Sequence, residues 1–294
     1  MPSAYVVLFV ANLVFATGYL VTRVVLRDIG PATLALARVL IGSAILVPWA
    51  WRGMREAKLS RADRWGLAMM GIVGFALAFG LGNWGIALSS VTNAALLITA
   101  EPTSLILLSP LVLGERLSRR EGVGAALTLL GAAVVVVNGI PGITAGLVPH
   151  WRGDVLLILS GVAYAAYSLL GRPVLARHPA PVVTAYSIVW GAVSTLPLAL
   201  LEWGAGHRPV WTVTAVMGAL YMGLVITAFG YAAWNWALER VEAPRVAIFL
   251  NVQPLVGSLL GVWLLGERLT VYTVAGGLVI LAGLHLTVKA ARRE

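Results

Sequence analysis

The chain has 294 residues, of which 60% are hydrophobic and only 11% charged, and its formal net charge at pH 7 is +9. Because an ordinary soluble domain carries about 25% charged residues, this composition argues against a water-exposed globular domain and predicts that most of the surface faces lipid. The basic residues occur in short runs between apolar stretches, which is typical of topology-setting membrane loops rather than of a nucleic-acid-binding surface.

Ten apolar segments along the chain are long enough to cross a bilayer as helices, which takes roughly 20 residues each. In chain order they are Tyr5–Val25, Ala32–Trp51, Trp65–Leu88, Ala94–Leu113, Ser118–Asn138, Val155–Leu175, Val182–Leu201, Trp211–Leu238, Val246–Leu265 and Tyr272–Val288. No basic region precedes the first segment, which is typical of a retained membrane helix rather than of a cleaved signal peptide. The third and fourth segments nearly fuse, so nine helices is the competing count.

The distribution of Lys and Arg between the loops predicts the orientation of the helices. With the N-terminus inside, the inner loops and the C-terminal tail contain 15 Lys and Arg residues, against five in the outer loops. Because inner loops of membrane proteins are enriched in basic residues, we expect both termini in the cytoplasm.

The two halves of the chain share a motif. Glu101-Pro102 in the fourth segment precedes a Gly-Glu-Arg-Leu turn that begins at Gly114, and Gln253-Pro254 in the ninth segment precedes the same turn at Gly266, both at an offset of 152 residues. We expect each turn to be a tight hairpin between neighbouring helices. Further matches at offsets of 149 or 150 are Phe15 with Tyr164, Arg23 with Arg172, Phe79-Gly80 with Phe229-Gly230, and Trp84 with Trp234.

These matches predict a duplication of five helices, with a first repeat over residues 1–140 and a second over residues 151–294 within one membrane domain. An odd number of helices per copy places the second copy upside down in the membrane. Such inverted repeats recur in secondary transporters, whose substrate sites lie near the membrane midplane between the repeats. Some channels are also built from duplicated units.

In these features the sequence resembles the drug/metabolite transporter superfamily, and within it the ten-helix EamA-type exporters. The duplicated motif and the glycine-rich last helix of each copy carry the resemblance. It implies a carrier in the bacterial inner membrane that exports amino acids, related metabolites or drugs by alternating access. It also implies a central cavity lined by helices one, three, four, six, eight and nine. The eleven tryptophans are similar to those of the aromatic amino-acid exporters.

Arg38 and Glu101 are charged residues inside predicted membrane segments, where ionisable side chains are costly and point to function. At 1.5 Å per residue, Arg38 lies about 10 Å and Glu101 about 12 Å from the outer surface. The similar depths predict an ion pair between the second and fourth helices. The second copy, with Gln253 at the acidic position, lacks both charges. A purely structural pair, or an unpaired Glu101 that binds a proton or a cation, are the alternatives.

Other mid-membrane residues are candidates for the substrate site. Pro102 and Pro254 each leave a backbone carbonyl unpaired one turn earlier, and such a carbonyl can coordinate an ammonium group, although a kink serves packing equally well. The polar and aromatic candidates for the cavity wall are Asn12, Phe15, Phe79, Asn83, Trp84, Tyr164, Tyr167, Trp190, Asn235 and Gln253. For any single aromatic side chain, packing against the core or lipid is the alternative.

The sequence carries no signature of an enzyme, a metal site or an ATP-driven pump. It has no cysteine, no Gly-x-Ser-x-Gly or His-Glu-x-x-His motif, and no phosphate-binding loop. We therefore expect a secondary transporter, without cofactor or ATP, that exports small metabolites and amino acids in particular. Its partners are the lipid bilayer and the substrate, not nucleic acid. An exporter of organic cations is the alternative, followed by a channel.

Overall fold

A computed structural model describes residues 2–114, 117–137, 150–230, 233, 249 and 252–290. Within these ranges the regular structure is entirely helical, and the helices are numbered here in chain order. They are α1 Pro2–Val25, α2 Pro31–Glu56, α3 Arg61–Leu88, α4 with its two parts Val91–Leu97 and Ala100–Leu113, α5 Arg119–Val137, α6 Trp151–Leu175, α7 Ala180–Gly204, α8 Val213–Gly230, α9 Val252–Leu265 and α10 Val271–Ala290.

The helix lengths agree with the predicted all-α membrane fold. Among the described residues, α1 to α8 are long and apolar enough to cross a membrane, and α9 and α10 are shorter apolar helices. The third and fourth predicted segments are separate helices, because Ser90 caps the start of α4 by accepting the N–H of Asn93 at 3.0 Å. The second half of the eighth predicted segment lies outside the described residues.

Local sequence explains where several helices begin. Pro31 opens α2, at a position where the missing N–H costs nothing. Ser60 and Asp63 form a capping box at the start of α3, each accepting from the backbone N–H of the other. Thr212 caps α8 by accepting the N–H of Ala215 at 3.1 Å. The helix starts are therefore encoded by the residues that flank the apolar segments.

Both α3 and α8 contain a stretch of π-helix, at Gly71–Leu77 and at Tyr221–Gly230. The two stretches begin 150 residues apart, the same offset that separates Phe79 from Phe229. π-helical turns are rare and often lie at functional sites. Their occurrence at matching positions therefore indicates that a functional site lies near these parts of α3 and α8.

The helices α5 and α10 pack backbone to backbone at four glycines. A Cβ on Gly124 would lie 2.7 Å from the carbonyl oxygen of Gly283, and a Cβ on Gly131 would lie 2.6 Å from that of Gly276. At an offset of 152 residues Gly124 matches Gly276 and Gly131 matches Gly283, so each contact maps onto the other. A two-fold relation between two helices produces this reciprocal pattern.

The turns that follow α4 and α9 begin alike. Gly114 and Gly266 both adopt the left-handed conformation, with φ of 69° and 67°, which glycine allows at a helix C-terminus. In the second turn, the Glu267 carboxylate accepts the backbone N–H groups of Val91 and Thr92 at 2.7 and 2.8 Å. This turn therefore also caps α4; the matching residues of the first turn, 115 and 116, lie outside the described residues.

Candidate functional site

A cavity of about 430 Å³ lies among the helices of both halves. Its wall is formed by α1, α3, α4, α6, α8 and α9, the six helices that the family resemblance implies, and also by α2 and α7. Small-molecule sites typically enclose roughly 300–1,000 Å³, so this cavity has the size of a site for a metabolite.

Eight of the residues singled out in the sequence line this cavity. They are Phe15, Arg38, Phe79, Asn83, Glu101, Tyr164, Tyr167 and Gln253. The aromatic members form a continuous surface, in which the ring of Phe79 lies 5.4 Å from that of Phe75 and 5.9 Å from that of Tyr164. The wall therefore offers an apolar aromatic face with a few polar groups.

Three of the remaining candidates lie away from the cavity wall. Asn12 is fully buried behind it and accepts a hydrogen bond from the Gln253 amide at 2.9 Å. Trp84 packs against the apolar core between α2, α3 and α7, and Trp190 is 43% exposed on α7. Asn235 lies outside the described residues.

The prediction of an ion pair between Arg38 and Glu101 is wrong. Arg38 Nε donates to Thr227 Oγ1 of α8 at 2.7 Å, and the guanidinium carbon lies 3.9 Å from the centroid of the Phe79 ring. Equal depth fixes the height of two side chains but not the direction in which each leaves its helix. Here α2 directs Arg38 toward α3 and α8 rather than toward α4.

Glu101 lines the same cavity from α4, and its side chain makes no hydrogen bond or ion pair with any described residue. The neighbouring helix α6 approaches it through Gly161, where a Cβ would lie 2.8 Å from the backbone nitrogen of Glu101. At this contact α6 therefore supplies backbone and no polar side chain. The carboxylate is left facing a cavity in which an opposite charge on a ligand would stabilise it.

Pro102 lies within α4, and this helix is interrupted about one turn earlier, at residues 98–99. Pro102 is the third residue of Ala100–Leu113, and the carbonyl of Ile98, which lost its usual partner, accepts the N–H of Glu101 at 3.0 Å. The prediction of a free carbonyl at this position is therefore wrong. Pro254 is the third described residue of α9, and residues 250 and 251, which include the carbonyl four residues before this proline, lie outside the described residues.

Sequence reasoning missed two polar residues of this region, Tyr19 and Thr227. Tyr19 lines the cavity and donates to Gln253 at 3.0 Å, and Thr227 binds Arg38. Both are hydroxyl groups inside apolar segments, which is the signal that could have found them. In the described part of the chain, no three His, Asp or Glu residues come together as a metal site would require.

The fold and the cavity define a multi-pass helical membrane protein with a small-molecule site between its helices. The chain belongs to the EamA-like transporter family, which it matches over residues 2–137 and again over residues 151–289. This is a family of transporters, and it lies within the superfamily that the sequence motifs indicated.

Several relatives align with most of the chain. An uncharacterized transporter of Archaeoglobus fulgidus is 26% identical over 285 residues, 97% of each chain. A "Probable terminal-alkyne amino-acid exporter" of Streptantibioticus cattleyicolor is 28% identical and covers 92% of this chain and 89% of its own. A "Probable amino-acid metabolite efflux pump" of Salmonella typhimurium is 30% identical over 66% of each. A crystal structure at 21% identity, covering 100% of this chain and 99% of its own with a TM-score of 0.66, shares the fold.

Proposed function

We propose that this protein is a secondary transporter that exports amino acids across the bacterial inner membrane by alternating access. The observation that carries the proposal is that Arg38 and Glu101 line one cavity without pairing with each other. A guanidinium group binds a carboxylate through two parallel hydrogen bonds, and a carboxylate binds an ammonium group. An amino acid carries both complementary charges, so a single zwitterion neutralises the two side chains at once.

The rest of the cavity wall suits the side chain of an apolar or aromatic amino acid. Phe15, Phe79, Tyr164 and Tyr167 provide ring surfaces, which favour aromatic side chains in offset or edge-to-face contact. Export of amino acids is also supported by the names of the relatives from Streptantibioticus cattleyicolor and Salmonella typhimurium.

The other functions fit the cavity less well. An organic cation would find its counter-ion in Glu101, but Arg38 would repel it and would gain no partner. A channel is expected to line its pore with rings of charge or with a filter of carbonyls. The described wall of this cavity instead contains one basic and one acidic side chain.

The proposed architecture has ten membrane crossings in two inverted five-helix repeats, residues 1–140 and 151–294, with both termini in the cytoplasm. It is supported by the π-helical stretches that begin at Gly71 and Tyr221, by the reciprocal glycine contacts between α5 and α10, and by the two family matches. Since the chain has no cysteine, single cysteines introduced at Lys58, Arg208 and Arg292 test the topology. Labelling of 58 and 292 from the cytoplasm, and of 208 from outside, is expected; labelling of 58 and 292 from opposite sides contradicts it.

The transport proposal is tested by counterflow in proteoliposomes. Labelled phenylalanine should enter saturably, and unlabelled amino acid preloaded inside should accelerate it. Arg38→Gln and Glu101→Gln should each abolish most of this uptake, whereas Glu56→Gln, an exposed residue at the end of α2, should leave it unchanged. If amino acids neither exchange nor compete while organic cations do, the protein is a cation exporter. Flux that does not saturate would instead indicate a channel.

A further inference from the structure

We propose that Thr227 is a positioning residue that holds the Arg38 guanidinium in the orientation needed to bind the carboxylate of the substrate. This inference rests on the proposed function, because it assigns a role at the same site. Thr227 itself is 2% exposed and is not part of the cavity wall, so it acts through Arg38 rather than by contact with substrate.

Two hydrogen bonds fix the orientation of the Thr227 hydroxyl group. It has one hydrogen, which it donates to the carbonyl oxygen of Met222 at 2.8 Å. The oxygen is therefore left as an acceptor, and it accepts the Nε–H of Arg38 at 2.7 Å. A hydroxyl whose own hydrogen is already used cannot turn that hydrogen toward the guanidinium, so it favours one orientation of Arg38.

The backbone of α8 and the packing of α2 fix the Thr227 side chain. In an α-helix a threonine hydroxyl bonds the carbonyl three or four residues earlier. The π-helical stretch Tyr221–Gly230 instead lets Thr227 reach Met222, five residues earlier. The methyl group of Thr227 faces Gly42, one turn beyond Arg38 on α2, where a Cβ would lie only 2.9 Å from Thr227 Cγ2. The π-helix and this glycine together determine the rotamer.

Two contacts then define the pose of the guanidinium. Thr227 holds its Nε–H, and the ring of Phe79 lies beneath its central carbon at 3.9 Å. The Nη1 and Nη2 groups make no hydrogen bond to any described residue. These two nitrogens form the edge that binds a carboxylate through parallel hydrogen bonds. The geometry thus reserves that edge for a ligand in the cavity.

The test compares ligands with and without a carboxylate. In Thr227→Val, which keeps the shape but loses the hydroxyl, the KM for phenylalanine in proteoliposomes should rise about tenfold, as expected when a hydrogen bond to a charged group is lost, with little change in the maximal rate. The inhibition constant of phenethylamine, which lacks the carboxylate, should stay within about twofold. Thr227→Ser should restore the wild-type KM.

The control is Thr195→Val, which removes another buried threonine hydroxyl whose hydrogen bond stays within its own helix, to Gly191 at 2.7 Å. It should change neither constant. If Thr227→Val weakens phenylalanine and phenethylamine equally, or leaves the KM for phenylalanine unchanged, Thr227 does not position Arg38. Should Thr227→Val not be recovered folded, Thr227→Ala is judged by the same comparison. If the wild-type protein exchanges no amino acid at all, the proposed function fails instead.

Discussion

Tyr19 donates a hydrogen bond to the side-chain oxygen of Gln253 at 3.0 Å, and the nitrogen of the same amide donates to Asn12 at 2.9 Å. Both ends of the Gln253 amide are therefore held by α1. An amide held in this way is fixed in place, and each of its two ends has a partner before any ligand arrives.

Glu101 occupies in the first half the position that Gln253 occupies in the second, and its situation is the opposite. At the offset of 149 residues that relates α1 to α6, the residues matching Asn12 and Tyr19 are Gly161 and Ser168. Neither hydrogen-bonds Glu101. The neutral amide of Gln253 is thus held by hydrogen bonds, while the carboxylate of Glu101 faces the cavity. This difference between two matching positions is consistent with the proposed binding of a zwitterion, whose two ends carry opposite charges.

The Gln253 hydrogen bonds should contribute to stability. In Gln253→Leu, Tyr19 and Asn12 each lose a partner inside the protein, so the free energy of unfolding in detergent should fall by about 1–3 kcal/mol. Ser258→Ala on the same helix is the control, because the Ser258 hydroxyl is buried without a hydrogen-bond partner in the described structure. Its removal should be neutral or stabilising. Equal losses in the two variants would contradict this account.

Gly30 and Glu202 should show coupled effects on stability. The Glu202 carboxylate caps α2 by accepting the N–H groups of Ala32 and Thr33 at 2.9 and 3.0 Å, and a Cβ on Gly30 would clash with it. Since Gly30 has φ of −73°, alanine is strained there only by this clash. Gly30→Ala should therefore destabilise the wild type but be neutral, or stabilising by about 0.4–1 kcal/mol, in a Glu202→Ala background. Additive thermal shifts would show that the two sites are independent.

Glu267, in the turn before α10, should stabilise the protein by capping the start of α4. Loss of its two backbone hydrogen bonds in Glu267→Ala leaves the N–H groups of Val91 and Thr92 unsatisfied, at a cost of about 0.5–2 kcal/mol. The neighbouring Arg268 is exposed, so Arg268→Ala should change the unfolding free energy by less than about 0.5 kcal/mol. Chemical denaturation in detergent measures both values, and a larger loss in Arg268→Ala would refute the assignment.

Asp63 should contribute more to stability than its partner Arg177. Asp63 is buried and caps α3 together with Ser60, besides binding Arg177 at 2.5 Å. Asp63→Ala should therefore cost about 1–2 kcal/mol from the cap alone. The Arg177 side chain is 52% exposed, and without it Asp63 keeps its hydrogen bonds with Ser60 and His178. Arg177→Ala should therefore cost less than about 1 kcal/mol. Thermal unfolding of the two variants gives the order, and an equal loss in Arg177→Ala would assign the stabilisation to the ion pair instead.

Hydropathy and motif spacing predicted most of the helices of this protein. The third predicted segment, Trp65–Leu88, corresponds to α3 from Arg61 to Leu88, with the start moved by the Ser60 capping box. The length of an apolar segment decides whether it can cross a membrane as a helix. Segment length and motif spacing can both be counted along a single chain. The cavity helices followed from the family resemblance, but the contributions of α2 and α7 did not.

The details of the site depended on directions that a linear sequence does not contain. Depth along a helix placed Arg38 and Glu101 at similar heights and suggested a pair, yet the two side chains leave their helices toward different neighbours. The role proposed for Thr227 depends on a π-helical register that shifts its carbonyl partner from the fourth to the fifth preceding residue. A sequence analysis that assumes a regular α-helix cannot predict the hydrogen bond between Thr227 and Met222.

The central claim, that Arg38 binds the carboxylate and Glu101 the ammonium group of one substrate, is tested by a panel of inhibition constants. Phenylalanine, phenethylamine without the carboxylate, and 3-phenylpropionate without the ammonium group would be measured against the wild type, Arg38→Gln and Glu101→Gln. Phenylalanine should exceed both analogues in affinity for the wild type. Arg38→Gln lacks the proposed partner of the carboxylate, so phenylalanine should bind to it no better than phenethylamine does. Glu101→Gln lacks the proposed partner of the ammonium group, so phenylalanine should bind to it no better than 3-phenylpropionate does. If removing the carboxylate weakens binding to Arg38→Gln as much as to the wild type, the claim is wrong.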